Sequence, residues 1–332
     1  MATIKEIAQL AQTSTATVSY VLSNKPARIS EKTRQRILKI AADLDYQPNA
    51  LVHALRSKIS YAIAVLVPSL KSGFFPEIIA GIDDEVSGSG FQLMICQHSN
   101  SPERLKKEIQ LLRSRRVDGL IVMPSGGLQG EAKYFSELRR KRVKLVLVEQ
   151  NQPDIPFVIS NNDTGAKQVI DHLFELGHRE IGYVGHRDRR LESYCRAMRE
   201  RGIPVRESHF LIFDEHGPGV EDYSAFLGPK PRFTALAATR DEFLFPLYDY
   251  CLAAKLAIPD RLSMVGYANF REGKILSPKL TSVDQNPGEI GREAGRIALD
   301  LILERIPQKS HQITLDPKLV VRESTGPAPG TR

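Results

Sequence analysis

Cysteine is scarce, and its placement rules out two classes of protein. Cys96, Cys195 and Cys251 are odd in number and far apart, which gives neither a disulfide framework nor the paired spacing of a metal site; they read as small buried apolar side chains. No apolar run approaches membrane-spanning length, and the first residues lack the pattern of a secretory signal, so a cytoplasmic protein without a membrane partner is expected. A phosphate-cradling glycine loop is missing too. VSGSGFQ at 86–92 contains G-x-G, but it follows a helical stretch and precedes a strand-like one, the wrong order for a cofactor cradle. His209, Asp214, Glu215 and His216 are neighbours that read as a solvated strand end and loop. No nucleophile, base and orienting acid can be picked out as a triad. Neither catalysis, a metal nor a cofactor is therefore expected.

What is present begins at the N-terminus. TIKEIAQLAQTSTATVSYVLSN, residues 3–24, has two short apolar stripes at helical spacing, Ile4, Ile7, Ala8 and Ala11, then Val18, Val21 and Leu22. Ser14 stands where a second helix needs an N-cap. A third stripe, Ile37, Ile40, Ala41 and Leu44 behind a Ser30 cap, completes a three-helix unit. Its second helix can project and fits the width of a DNA major groove. Residues 1–60 hold nine Lys or Arg against four acids, +5 of the chain's formal +7, so a polyanionic partner is implied for this end of the chain and not for the whole surface. Thr15, Ala16, Thr17, Ser19 and Tyr20 are the groove-facing candidates, with hydroxyls for base edges or phosphates and a methyl for thymine.

The next stretch, YQPNALVHALRSKIS at 46–60, could form a two-turn helix opened by Pro48, too short to be stable alone in water. From Tyr61 the pattern changes. YAIAVLV, FQLMIC, VDGLIVM and KLVLV read as strands of a mostly parallel sheet, with amphipathic helices near 76–89, 102–116 and 131–141. A second round has strands near 180–184, 233–237 and 262–266 and helices near 163–176, 190–201 and 243–257. Two α/β layers of similar size imply two lobes facing a cleft, with a ligand beyond the carboxyl ends of the strands.

The words TIKEIAQLA, STATVSYVLSNK, SEKTRQRIL, LDYQPNALVHALRS, ELGHREIGYVG, RLESYCRAM and LVVREST together resemble the LacI family of bacterial transcriptional regulators over almost the full chain. The resemblance implies an α/β fold with an N-terminal helix-turn-helix domain (1–46), a hinge helix and linker (47–60) and a two-lobed periplasmic-binding-protein-like core (61–326). Lobe one would be 61–159 and 286–314, lobe two 160–285 and 315–326, with 327–332 a disordered tail rich in Gly and Pro. It implies that Thr15, Ala16 and Tyr20 read bases, that Thr17 and Ser19 hold phosphates, and that Asn24 and Asn49 add contacts. In the hinge, Leu55 would wedge into the minor groove while Arg56 and Lys58 approach the backbone. The family's AGVS turn is here Ala11-Gln12-Thr13-Ser14.

For the cleft the resemblance implies effector contacts at Phe75, Glu149, Arg190, Arg240 and Asp241. The family word G-[FY]-D-[DN] has become Gly266-Tyr267-Ala268-Asn269, and Arg240 adds a charge near Arg187, Arg189 and Arg190. Three readings stay open: an anionic effector such as a sugar phosphate, nucleotide or organic acid; arginines neutralised by Glu149, Asp188, Asp241 and Glu242 in a pocket that binds little; or a modified neutral-sugar site. The expected partners are pseudopalindromic operator DNA, that small molecule and a second copy of the chain. No leucine-heptad tail follows residue 325, which favours a dimer over a tetramer. A repressor is the leading expectation, and an activator or architectural DNA-binding protein of the same fold the alternative.

Overall fold

A computed structural model describes residues 2–22, 28–46, 59–71, 73–124, 128–213, 217–228, 231–307 and 311–330. The chain divides into two compact units, Met1–Tyr61 and Ala62–Arg332.

The first unit contains α1 (Ile4–Leu10), α2 (Thr15–Leu22) and α3 (Glu31–Asp43). Each start has a polar cap that takes an otherwise orphaned amide. Thr3 Oγ1 accepts from Glu6 N, and Glu6 answers by accepting from Thr3 N at 2.7 Å. Ser14 Oγ accepts from Thr17 N, and Ser30 Oγ from Thr33 N. Ile7, Ala8, Ala11, Val18, Val21, Ile37 and Ala41 form the buried core. Leu44, expected on the α3 stripe, is instead an exposed large hydrophobic, because it is the C-cap residue of α3. Gln12 holds φ +47° in the turn between α1 and α2, a backbone conformation that glycine would adopt more cheaply.

The second unit has two six-stranded sheets. The first runs β11-β5-β4-β3-β1-β2, with β1 (Ala62–Val67), β2 (Gln92–Gln97), β3 (Gly119–Val122), β4 (Leu145–Val148), β5 (Phe157–Ser160) and β11 (Gln312–Leu315), every pair parallel. The second runs β12-β10-β9-β8-β6-β7, with β6 (Ile181–Gly185), β7 (Phe210–Ile212), β8 (Ala235–Ala238), β9 (Ser263–Tyr267), β10 (Thr281–Asp284) and β12 (Lys318–Val320). Only β12 is antiparallel to its neighbour. β1, β3 and β4 are buried nearly end to end because helices cover both faces, which is why they read as unbroken apolar runs. The chain passes from sheet to sheet between β5 and α7 (Asn162–Glu175), between β10 and α11 (Pro287–Ile302), and between β11 and β12.

In lobe one, α4 (Phe74–Val86) and α11 lie backbone against backbone. A Cβ at Gly81 would sit 2.1 Å from Gly288 O, and one at Gly291 2.1 Å from Ile78 O, so only glycine permits the approach. The other helices are α5 (Pro102–Ser114), α6 (Leu128–Arg140), α8 (Arg189–Glu200), α9 (Val220–Leu227) and α10 (Phe245–Ala253). The stretch from 327, expected to be a disordered tail, is described as far as residue 330 and packs on lobe two. Ala328 is buried and donates its amide to Leu176 O at 2.8 Å, while His178 Nε2 lies 3.0 Å from Gly326 O.

Candidate functional site

A cavity of about 510 Å³ lies between the lobes of the core where the strands end. Its lining follows that rule residue by residue: Pro68 comes just after β1, Met123 after β3, Glu149 after β4, Arg240 shortly after β8, Ala268 after β9 and Gln285 after β10. Phe75 adds an aromatic wall from the first turn of α4, and Phe270 lines the cavity from lobe two, its ring 3.6 Å from a Cβ placed on Gly73.

Glu149 and Arg190 bridge the lobes at the floor. Glu149 sits at φ +57°; its Oε1 accepts from Ser160 N at 2.7 Å and its Oε2 from Gln285 Nε2 at 3.3 Å. Arg190 Nη2 lies 3.8 Å from Glu149 Oε2. The guanidinium also donates to Asn162 Oδ1 (3.2 Å), Thr239 O (2.9 Å) and Gln285 Oε1 (3.4 Å), and stacks 4.6 Å from the centre of the Tyr267 ring. Burial pushes the Glu149 carboxyl above its ordinary range, and the Arg190 charge opposes that shift. A second bridge crosses the mouth, where Arg189 Nη1 donates to Asn151 Oδ1 at 2.5 Å.

The remaining rim arginines pair with carboxylates, one exposed and one half-buried. Arg187 pairs with Glu207 at 2.8 Å and Arg240 with Glu242 at 3.2 Å. Asp188 is engaged as the N-cap of α8, accepting from the amides of Arg190 and Leu191.

Residues 3–49 match the family described as bacterial regulatory proteins, lacI family, and residues 170–325 a periplasmic binding protein-like domain. The chain is 30% identical to the HTH-type transcriptional repressor PurR of Photobacterium profundum, with 98% of each chain covered. It belongs to the LacI family of bacterial regulatory proteins. It is also 29% identical to the HTH-type transcriptional regulator DegA of Bacillus subtilis, with 98% of both covered. In fold it is similar to the lac repressor dimer bound to operator and the anti-inducer ONPF (TM-score 0.88, 23% identity, 98% of this chain and 99% of that one). A LacI-family regulator from Silicibacter pomeroyi gives a TM-score of 0.81 at 24% identity, with 98% and 99% covered. This LacI-family chain is thus a DNA-binding transcriptional regulator with an effector-binding core, a role exerted by binding and not by catalysis. Among the described residues no helix is long and apolar enough to cross a membrane, and no cluster of His, Cys, Asp and Glu could hold a metal ion.

On the DNA side, α2 of this LacI-family chain presents Thr15, Ala16 and Tyr20 as exposed side chains, with Thr17 and Ser19 half-buried beside them. The Thr17 hydroxyl is 2.9 Å from that of Ser14, which ties it to the cap. Asn24, Asn49, Leu55, Arg56 and Lys58 lie outside the described residues.

In the cleft, the structure brings together Phe75, Glu149, Arg190 and Arg240. Asp241 requires a correction: it is fully buried behind the wall and does not line the cavity. Its Oδ2 accepts from Phe270 N and its Oδ1 from Ser282 Oγ, both at 2.6 Å, while Ser282 Oγ accepts from Asn269 N at 2.9 Å. Asp241 therefore anchors the loop 267–270, in which Ala268 is held at φ +101° and Asn269 at φ +54°. Gly266 is required there because a Cβ would lie 2.0 Å from Asp241 Oδ1. Burial pushes the Asp241 carboxyl up to about 7, against the bonds from Ser282 and Phe270. Sequence reasoning missed Gln285, Asn162, Asn151 and Phe270. The first two stand next to lobe crossings already placed near 285 and 160, which was the available signal; nothing local marks Asn151 or Phe270.

Proposed function

We propose that the protein is a dimeric repressor whose affinity for a pseudopalindromic operator is set by a small anionic molecule held between the core lobes. The observation that carries this reading is the basic rim, where Arg187, Arg189 and Arg240 stand at the mouth of a cleft whose lobes are already bridged by protein side chains. The Arg187–Glu207 pair is exposed and the Arg240–Glu242 pair half-buried, so solvent weakens both and each can yield to a ligand phosphate or carboxylate that offers bidentate bonds. Ala268 leaves the wall without the family's carboxylate, which removes a repulsion for an anion and a partner for a sugar hydroxyl.

The lac repressor to which the chain is similar is a dimer bound to operator. A two-fold dimer here would double the small contact surface of α2 and read two half-sites. A ligand controls such a dimer only by preferring one arrangement of the lobes.

Thermal melting against pairs of neutral sugars or nucleosides and their phosphorylated forms tests the ligand class. A stabilising shift confined to the phosphorylated members is expected, since a ligand that binds only the native state raises its melting point by mass action. Equal shifts within each pair would rule out the anion. A second reading rests on the same ion pairs: with every rim carboxylate satisfied internally, the cleft is closed and the protein is an activator or architectural DNA-binding protein controlled by abundance. No shift with any ligand would favour it.

A further inference from the structure

The lining of the cleft sorts itself by polarity. Phe74, Phe75, Met123, Ala268 and Phe270 give it apolar walls from both lobes, and all of these but the half-buried Phe75 are buried. The Phe74 and Phe75 rings meet edge to face with 5.6 Å between their centres. The charge lies elsewhere, at the mouth, where Arg187 and Arg189 are exposed and Arg240 is half-buried.

The polar groups of the floor are spent on each other. Arg190 donates to Asn162, Thr239 O and Gln285, while Glu149 accepts from Ser160 N with one oxygen and from Gln285 with the other. A ligand rich in hydroxyls would have to break these bonds to find partners, and each buried hydroxyl left without one costs about tenfold in affinity. An aromatic ring asks nothing of such a floor, and it gains by packing offset or edge-on against phenyl rings.

The apolar wall of lobe two is also held in place before any ligand arrives. Asp241 accepts from Phe270 N at 2.6 Å, Asn269 N donates to Ser282 Oγ at 2.9 Å, and Asn269 Nδ2 donates to Asp284 Oδ2 at 2.9 Å. A wall fixed in this way loses little freedom on binding. Among the lining acids, Glu149 is bonded at the floor and Asp188 caps α8; Glu192 is exposed, so water screens its repulsion of an anion.

We propose that the ligand of the cleft is a planar aromatic ring bearing a phosphate or carboxylate, with the ring packed on Phe75 and Phe270 and the anionic group held by Arg187 and Arg240 at the mouth. Arg190 then supports the floor and does not grip the ligand. This inference rests on the anionic reading of the cleft and adds the ring to it. An aryl acid and a nucleotide share the chemistry; they differ in the ribose, whose hydroxyls the satisfied floor disfavours.

The test measures the affinity of the full-length chain by calorimetry for four probes: 2-naphthyl phosphate, 2-naphthol, glucose 6-phosphate and adenosine monophosphate. The naphthyl phosphate is expected to bind at least about tenfold more tightly than either 2-naphthol or glucose 6-phosphate. Glucose 6-phosphate binding as tightly as the naphthyl phosphate overturns the aromatic ring and leaves the anionic reading standing. 2-Naphthol binding as tightly overturns the anionic reading itself. Binding of none of the four overturns the proposal. Adenosine monophosphate binding more tightly than the naphthyl phosphate identifies the ligand as a nucleotide, and weaker binding identifies it as an aryl acid. Two substitutions locate the contacts. Phe75→Leu keeps the wall apolar but removes the ring, and is expected to weaken naphthyl phosphate about three- to tenfold while leaving the melting temperature of the free protein unchanged. Arg187→Gln with Arg240→Gln is expected to weaken the phosphate about tenfold or more and 2-naphthol not at all. Unchanged affinity for naphthyl phosphate in both variants would place the ligand outside this cleft and overturn the proposal.

Discussion

Asp241 shows how a residue can matter to a ligand site without touching the ligand. Its carboxylate holds one cleft wall through Phe270 N and Ser282 Oγ, and its proton affinity is raised because the carboxylate is buried. The folded value of about 7 lies above the ordinary value of 3.8. Between those values the native state keeps a proton that the unfolded chain has released, so this group's stabilising contribution is full at acid pH and is lost as pH rises through about 7. Asp241→Asn removes the titration. The stability of the unaltered protein relative to the variant should fall by about 2 kcal/mol between pH 5 and 8, measured by urea unfolding. A difference constant across that range would contradict the assignment. His98, His172 and His178, which burial holds below the ordinary imidazole range, are common to both proteins and cancel. The sequence placed Asp241 correctly in chain order but not in depth, because the motif that aligns it with the cleft says nothing of which way its carboxylate turns.

At the scale of elements, the sequence was most legible where a single period dominates. The apolar runs of β1, β3 and β4 and the capped stripes of α1 to α3 each announce themselves locally. Short elements were not foreseen: β5 and β10 have four residues each, and their backbone bonds come from neighbours distant in sequence. α11 was hidden for another reason, since Gly288, Gly291 and Gly295 depress its helix propensity. Those glycines serve tertiary packing, as Gly291 shows against Ile78 O. Gly291→Ala should destabilise the core by about 3 kcal/mol or more, because the backbone cannot move aside as a side chain could. Gly288→Ala, whose added Cβ would meet only the Arg292 guanidinium at 3.6 Å, should cost little. Equal urea midpoints for the two variants would show that the α4–α11 approach is looser than described.

Over the whole molecule, two kinds of surface divide the work. α2 leaves Thr15, Ala16 and Tyr20 exposed, a small surface, while the cleft lies at the carboxyl ends of two sheets, within reach of both lobes. The bridges Arg189–Asn151 and Arg190–Glu149 span the lobes, so any ligand must act on an arrangement the protein already stabilises itself. One recognition helix contacts too few bases for strong selection, and doubling by symmetry is the economical remedy. The most direct test of this account is selection of bound sequences from a pool of random duplexes by the full-length protein. The account predicts a pseudopalindrome whose half-sites are related by a two-fold axis, with Ala16→Asp and Tyr20→Ala each abolishing the enrichment. Recovery of a single asymmetric half-site, or of no preferred sequence at all, would contradict it.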